Sequence, residues 1–561
     1  MAVRRRHCLI LVAVLGVAAL PAGARAQGVP PVGILQNPSD EASVPGFVGA
    51  PATPQGVAAP DVPRHPHMAA NGASNTHDDA YQTDTYTVPG PLGVGMSVRS
   101  TFFLGECGTV TFDRQGRIVT VCVGVQGPFL ALLAPRDLTT LAVFPLPPRR
   151  PGAGSANFLT DVSGGGYFYL DDQDRAVIPT QHGHVWVVAE NAAGTGFALA
   201  HDYDLSSVVG LDDQIFSALP DWSGRLWFVT HNGVVGTVDP QSDAVKSMTL
   251  AGEGIDNSFA IDETGGVYIV SDKALYRFDA GAGGAPSVTW RVVYPSSGVV
   301  KPGQFSAGSG TTPTLMGPDH VAITDNADPM DVVVYRRGRQ LDGDRLVCLQ
   351  PVFAQGASDT ENSLIATGTS MIVENNYGYT GPIATQGGGV TTPGLERVDL
   401  DAGGGCHRVW HSDERAPSVV AKLSLATGLV YTYTKAPNDQ GVDAWYFTAL
   451  DFESGRTVYR RLAGTGLGFN NNYAPVTLGS DGTAYVGALG GLVALADAVP
   501  PHGVPAPALE AVAPGRPKLR LRLTRRGRQV RAELGGDDRR RVRRVDFRVA
   551  GRLLARDRRA P

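Results

Sequence analysis

The chain has 561 residues, 43% of them hydrophobic, 7% aromatic and 18% charged, with 70 Gly and 40 Pro that together make about a fifth of the sequence. That apolar share excludes a disordered chain. The Gly and Pro content excludes a coiled coil or a long helical bundle and favours many short elements joined by turns. The formal net charge of −5 conceals a division, since residues 516–561 carry +13 whereas residues 27–515, with 26 basic and 48 acidic side chains, carry −22.

Residues 1–26 read as an export signal: Arg4, Arg5 and Arg6, an apolar run from Leu9 to Leu20, then Ala24-Arg25-Ala26. The run is about a dozen residues, too short to cross ~30 Å of hydrocarbon as a helix. Cleavage is expected near Ala26. No later run has the length of a membrane helix, so a secreted protein is expected, extracellular or periplasmic, with no transmembrane segment. Residues 27–95 are rich in Pro, Gly and Ala and predict an extended or wrapping segment. Within it, His65-Pro66-His67 and Asn75-Thr76-His77-Asp78-Asp79 contain metal-ligating residue types. Their spacing fits no closed site, and the stretch reads as a solvated linker.

Residues 96–498 repeat one pattern. The clearest copy runs from Ala474 to Asp497, a short apolar strand, the turn Asp481-Gly482, a second strand, the turn Gly490-Gly491 and a third strand. The same order recurs in Thr109–Leu133, Phe216–Val238 and Phe259–Phe278, and more loosely in Gly166–Ala189, Thr314–Arg336, Asn362–Leu400 and Ala421–Asp451. Asp-Gly and Gly-Gly supply the positive φ that tight hairpins need. Several copies are followed by a fourth strand candidate, such as Ala244–Leu250 or Thr457–Leu462. Eight such units predict an all-β, eight-bladed β-propeller, with seven blades as the alternative. The last unit lacks a fourth strand, and Met96–Phe103 is predicted to supply it and close the ring.

Four cysteines follow the leader, an even number in an oxidising compartment. Cys107 and Cys122 flank the hairpin that turns at Asp113-Arg114-Gln115-Gly116, and pairing Asp113 with Gly116 sets them opposite each other, within disulfide reach. Cys348 and Cys406 are the second expected pair.

Beyond a Pro-rich linker (499–516), residues 517–561 form a short basic extension in which Lys518–Leu523 and Val545–Val549 alternate with period two. This stretch resembles the opening strands of a bacterial immunoglobulin-like module, though too few residues follow for its seven strands. Its Arg stripe suits an anionic envelope polymer, and no nucleic-acid partner is expected of an exported protein.

The units around Asp481–Gly487 and Gly490–Asp497 resemble the repeat of quinoprotein-type propellers, those of the pyrroloquinoline-quinone-like fold, and more loosely the gluconolactonase-like and strictosidine-synthase-like propellers. The six Trp are scattered and no two Cys are adjacent, which departs from the docking motif of quinone dehydrogenases and argues against bound quinone.

In a propeller, the loops entering each innermost strand and the loops after each second strand open on one face. The first set carries Glu106, Asp212-Asp213-Gln214, Asp256-Asn257, Glu361-Asn362, Asp413-Glu414 and Asn470-Asn471-Asn472. The second carries Gln181-His182, His231-Asn232, Asp272-Lys273, Asp325-Asn326, Glu374-Asn375-Asn376 and Lys435. Converging carboxylates and carboxamides suit Ca²⁺, which takes six to eight oxygens, with Glu374, Asn375, Asn376, Asn470, Asn471 and Asp325 as the expected ligands. Asp256, Asn257, Glu361, Asn362 and Asn472 are the expected ligand-binding residues, for a small molecule or a carbohydrate. The resemblance to lactonase-like propellers implies hydrolysis of a lactone or ester, and His231 and His182 are the expected proton-handling residues. The alternatives are a non-enzymatic envelope recognition or scaffold protein and, third, a quinone-dependent dehydrogenase.

Overall fold

The turn grammar of the repeat is written in aspartates. Asp113, Asp171, Asp221 and Asp262 each open a hairpin turn, and the Oδ1 atom of each accepts the backbone N–H groups two and four residues on. The Oδ2 atom then holds a side chain on or next to the second strand: Arg117 and Arg175 Nε at 2.6 Å, Trp227 Nε1 at 2.9 Å and Tyr268 OH at 2.7 Å. Each turn is thus capped locally, whatever the rest of the chain does. At the position of positive φ, blade 3 uses Gly224 (φ 86°), whereas blade 2 uses Asp174 (φ 61°). That substitution explains why its copy of the pattern is harder to see.

The computed structural model describes residues 28–124, 127–150, 164–191 and 193–499, and the backbone of residues 520–526, 529–535, 545–549 and 552–557. The predicted leader, and the linker from residue 500 onward, lie outside the described residues. Eight antiparallel sheets, each with its strands in chain order from the axis outward, span residues 105–145, 169–204, 215–249, 260–293, 314–351, 365–412, 422–465 and 476–496. These are blades 1 to 8 of a β-propeller. Ser97–Phe102 pairs antiparallel with Gly491–Ala496 and completes blade 8, as the sequence led one to expect. Asp497 accepts the backbone N–H groups of Leu92, Gly93 and Val94 and fastens that closure. Between blades the apolar faces interlock: Trp227, Phe228, Ile261, Val267 and Ile269 are completely buried in the cluster around blades 2 to 4.

The N-terminal segment runs along the ring, and its stretch from His65 to Asp79 is not the solvated linker expected. Phe47–Gly49 adds a strand to the outer edge of blade 7, and Thr85–Tyr86 lies parallel to its innermost strand, Lys422–Ser424. Between these, residues 69–86 coil inside the ring as a plug, bonded to the inner edges of six blades. Ala69 N–H donates to Leu170 O and Leu170 N–H to Ser74 O. The amides of Phe112, Ile261, Leu315, Ala366 and Leu423 donate to the carbonyls of Ala73, Ala80, Tyr81, Thr83 and Asp84. The physical reason is that the innermost strands have no further strand of their own sheet on the axial side, so their N–H groups need acceptors. His65, Asn75, Thr76, His77, Asp78 and Asp79 are all buried in consequence.

Cys107 and Cys122 are bonded and pair directly across the hairpin. The turn is one residue wider than expected, with Phe112 opposite Ile118, and a bulge between Cys107 and Val110 restores the alignment. The Cys348–Cys406 bridge joins the outermost strands of blades 5 and 6. Intact-mass analysis of unreduced protein is expected to show both bridges and no alkylatable thiol among these four positions.

The C-terminal extension forms two hairpins, Arg520–Arg526 with Gln529–Gly535 and Val545–Val549 with Arg552–Asp557. Gln529–Gly535 was not among the expected strands. The side chains of the Arg stripe lie outside the described residues. Among the described residues, no helix is long and apolar enough to cross a membrane.

Candidate functional site

Four of the residues expected to bind a ligand meet. Asp256 and Asn257, from the loop entering blade 4, and Glu361 and Asn362, from the loop entering blade 6, line one chamber at the axis, of about 50 Å³. Glu106, Gly108 and Thr109 of blade 1 share it, with Tyr167, Phe305 and Tyr473 as aromatic walls. Phe305 and Tyr473 pack with ring centroids 4.9 Å apart. The plug closes the chamber from within, since Thr76 and His77 also line it.

Its polar groups are held by neighbours. Asn362 Nδ2 donates to Glu374 Oε1 at 2.7 Å and to Asn376 Oδ1 at 3.0 Å, while its Oδ1 is buried without a protein partner. Asn257 Nδ2 donates to Ser309 O at 3.0 Å. Glu361 Oε1 accepts the Phe305 N–H at 2.7 Å. Glu106 Oε2 accepts from Asn472 Nδ2 at 2.9 Å, which places Asn472 behind the wall as a support. Burial pushes the Glu106 carboxyl up to about 8, and burial likewise holds Glu361 and Glu374 well above the usual carboxylate range. Glu106 therefore keeps its proton at neutral pH, and burial favours the protonated form of Glu361.

The two histidines lie elsewhere. His231 is half exposed, and its Nδ1 is 2.5 Å from Asp256 Oδ1, so it reaches the chamber only through that carboxylate. His182, at a hairpin tip of blade 2, has Nε2 2.7 Å from Pro148 O and does not line the chamber.

The residues expected to ligate calcium do not form one open oxygen set. Asn375 Oδ1 accepts from Asp359 and Tyr377 N–H, and Asn376 Oδ1 from Thr360, Glu361 and Asn362. Asn470 Oδ1 lies 2.9 Å from both Tyr379 OH and Asn472 N. Asn471 Nδ2 donates to Ala474 O at 3.1 Å, and Asp325 Oδ1 caps its own loop by accepting from Ala327 and Asp331. Burial raises Asp325 to about 7. Among the described residues, no group of three or more His, Cys, Asp or Glu side chains is placed to hold a metal ion. Asn471 Oδ1, Asp325 Oδ2 and Glu374 Oε2 are buried without a protein partner, whereas the oxygens of Asn375, Asn376 and Asn470 are taken up by these neighbours. Added calcium is expected to produce no saturable rise in melting temperature, whereas a bound ion at a hundredfold excess over Kd would stabilise by ~2.7 kcal/mol.

Sequence reasoning placed His77 in a solvated linker and passed over Asp84, Ser363 and Lys422. His77 Nδ1 lies 3.0 Å from Asp84 Oδ1, and Lys422 Nζ contacts Asp84 and lies 3.3 Å from Asp78. A readable signal existed: Lys422 directly follows the apolar run Val419-Val420-Ala421 at the start of the innermost strand, and a buried cation demands carboxylates.

No protein-family model matches the chain. It is 30% identical over 304 residues to an uncharacterised protein of Archaeoglobus fulgidus, a match covering 48% of this chain and 58% of that protein, so the chain spans little more than half the length of that relative. Among solved structures it is similar to a europium-containing methanol dehydrogenase (11% identity, 74% of this chain and 90% of that one, TM-score 0.48) and to streptogramin B lyase (8% identity, 71% and 97%, TM-score 0.37). At such identities the chemistry of this chain has to be read from its own residues, arranged as an eight-bladed, all-β propeller around a plugged axis.

Proposed function

We propose that the axial chamber binds a small uncharged molecule bearing a carbonyl or hydroxyl group, and that the protein hydrolyses an ester or lactone bond in it. The observation that carries this reading is the convergence of Asp256, Asn257, Glu361 and Asn362, from two distant loops, on one aromatic-walled chamber. Carboxyls kept protonated by burial donate hydrogen bonds to a carbonyl oxygen without repelling its electrons, and the unpartnered Asn362 Oδ1 accepts one. Aromatic faces take the apolar part of such a molecule.

Gly108 provides the test. A Cβ built there meets nothing within 4 Å, so a side chain would project into open space. Gly108→Leu is expected to keep the wild-type melting temperature and to lose binding of γ-butyrolactone and ethyl acetate in calorimetry by at least about tenfold. Binding by this variant at wild-type strength would remove the chamber as the site.

A further inference from the structure

We infer that Ser363, His77 and Asp84 form a nucleophilic relay in the wall of the axial chamber, acting on small esters or lactones. This names the reacting groups of the activity proposed above and rests on that reading. His77 Nδ1 lies 3.0 and 3.1 Å from the two oxygens of Asp84, and a carboxylate accepts a hydrogen bond there only from a protonated nitrogen. That assigns the ring proton to Nδ1 and leaves the lone pair on Nε2. Nε2 faces Ser363 Oγ at 3.4 Å. Ser363 Oγ already accepts the Thr312 N–H at 3.1 Å, so its own hydrogen is directed away from that amide and is available to Nε2. Ser363 and His77 both line the chamber, whereas Asp84 is completely buried behind them beside Lys422. Nucleophile, base and orienting carboxylate are therefore arranged in the order that acyl transfer requires, with only the first two open to a ligand.

The chemistry closes without a further reagent than water. Ser363 Oγ bonds to the carbonyl carbon while His77 Nε2 takes its proton. The carbon–oxygen bond to the alcohol breaks, and the leaving oxygen receives that proton from Nε2. Water, giving a proton to the same nitrogen, then cleaves the acyl–Ser363 ester, releasing the carboxylic acid and restoring the hydroxyl. About 50 Å³ holds only a few water-sized groups at on the order of 10–15 Å³ each, so the acyl part is of acetyl size or a small ring.

The test uses the full chain, p-nitrophenyl acetate as substrate and a small fluorophosphonate as covalent probe. The wild type is expected to turn over the ester and to carry one phosphonyl group per chain, on the peptide containing Ser363. Ser363→Ala is expected to take up no label and to lose turnover on the order of 10²-fold or more, with the chain still folded and its melting temperature lowered only by the loss of the acceptor for the Thr312 N–H. His77→Gln should lose turnover similarly, and Ser363→Cys, which keeps a nucleophile of similar size, should retain part of it and become labelled by iodoacetamide. Absence of label on the wild type, or label and turnover persisting in Ser363→Ala, overturns the relay. If Ser363→Ala still hydrolyses the ester while Gly108→Leu does not, the relay fails and the chamber stands; if both behave as wild type, the chamber reading fails as well.

Discussion

Replacing Lys422 by Met is expected to destabilise the protein by about 3–5 kcal/mol, the cost of breaking a buried ion pair by removing one partner. Lys422 is completely buried in the innermost strand of blade 7. Its ammonium contacts Asp84, lies 3.3 Å from Asp78 and donates to Thr76 O at 2.5 Å, so it ties three points of the plug to the ring. Burial pushes this amine down, but Asp78 and Asp84 together outweigh that and carry it above its ordinary value, which keeps the cation charged. Asp78 is displaced the other way: burial lifts it well above the carboxylate range despite Lys422. Asp84, in direct contact with the ammonium, is thus its nearer partner and Asp78 the more distant one. Methionine would keep most of the packing and leave Asp84 facing His77 alone. Guanidinium denaturation of Lys422→Met, Asp84→Asn and the double variant checks this. The double variant is expected to be more stable than the sum of the single losses implies, because no charge is stranded. A Lys422→Met stability within about 1 kcal/mol of wild type would show that the cluster does not hold the plug.

The second large effect is a loss of stability as pH rises. Burial raises Glu106 and Asp359 to about 8 and puts Glu361 and Glu374 well above the ordinary range. Each keeps its proton in the folded state at pH values where the unfolded chain has lost it. The folded state then binds more protons, so stability is fully present below about pH 4.5 and falls as pH climbs through about 8. Each carboxyl contributes a slope of up to about 1.4 kcal/mol per pH unit in that window. Melting temperature is expected to be highest in mildly acidic buffer and to decline toward pH 8. Glu106→Gln, which keeps the hydrogen bond geometry and cannot ionise, should flatten part of that decline. An unchanged slope in Glu106→Gln would mean that Glu106 is ionised in the folded protein.

Much of the architecture is local in origin, and that part was legible. Asp113, Asp221 and Asp262 satisfy their own turns, apolar residues alternate with them, and strands of one blade follow each other in sequence, so spacing predicted eight blades, with seven as the alternative, and the closing strand. The loops that reach the axis were legible for the same reason, and Asp256, Asn257, Glu361 and Asn362 meet there. Asn375, Asn376 and Asn470 sit in equivalent loops, yet spend their oxygens on neighbouring amides and hydroxyls, a choice set by backbone geometry that residue type does not record.

The amino-acid order by itself thus determined the repeating sheets, the ring closure and the face on which the loops converge, because hairpins and their capping aspartates are decided within a few residues. Only the tertiary structure decided that residues 69–86 fill the axis, and that His77 meets a serine 286 positions away. The plug is held mainly by its backbone carbonyls, which every residue possesses, and two of its three aspartates meet one lysine in a distant strand, so nothing in its composition distinguishes it from a chain left in water.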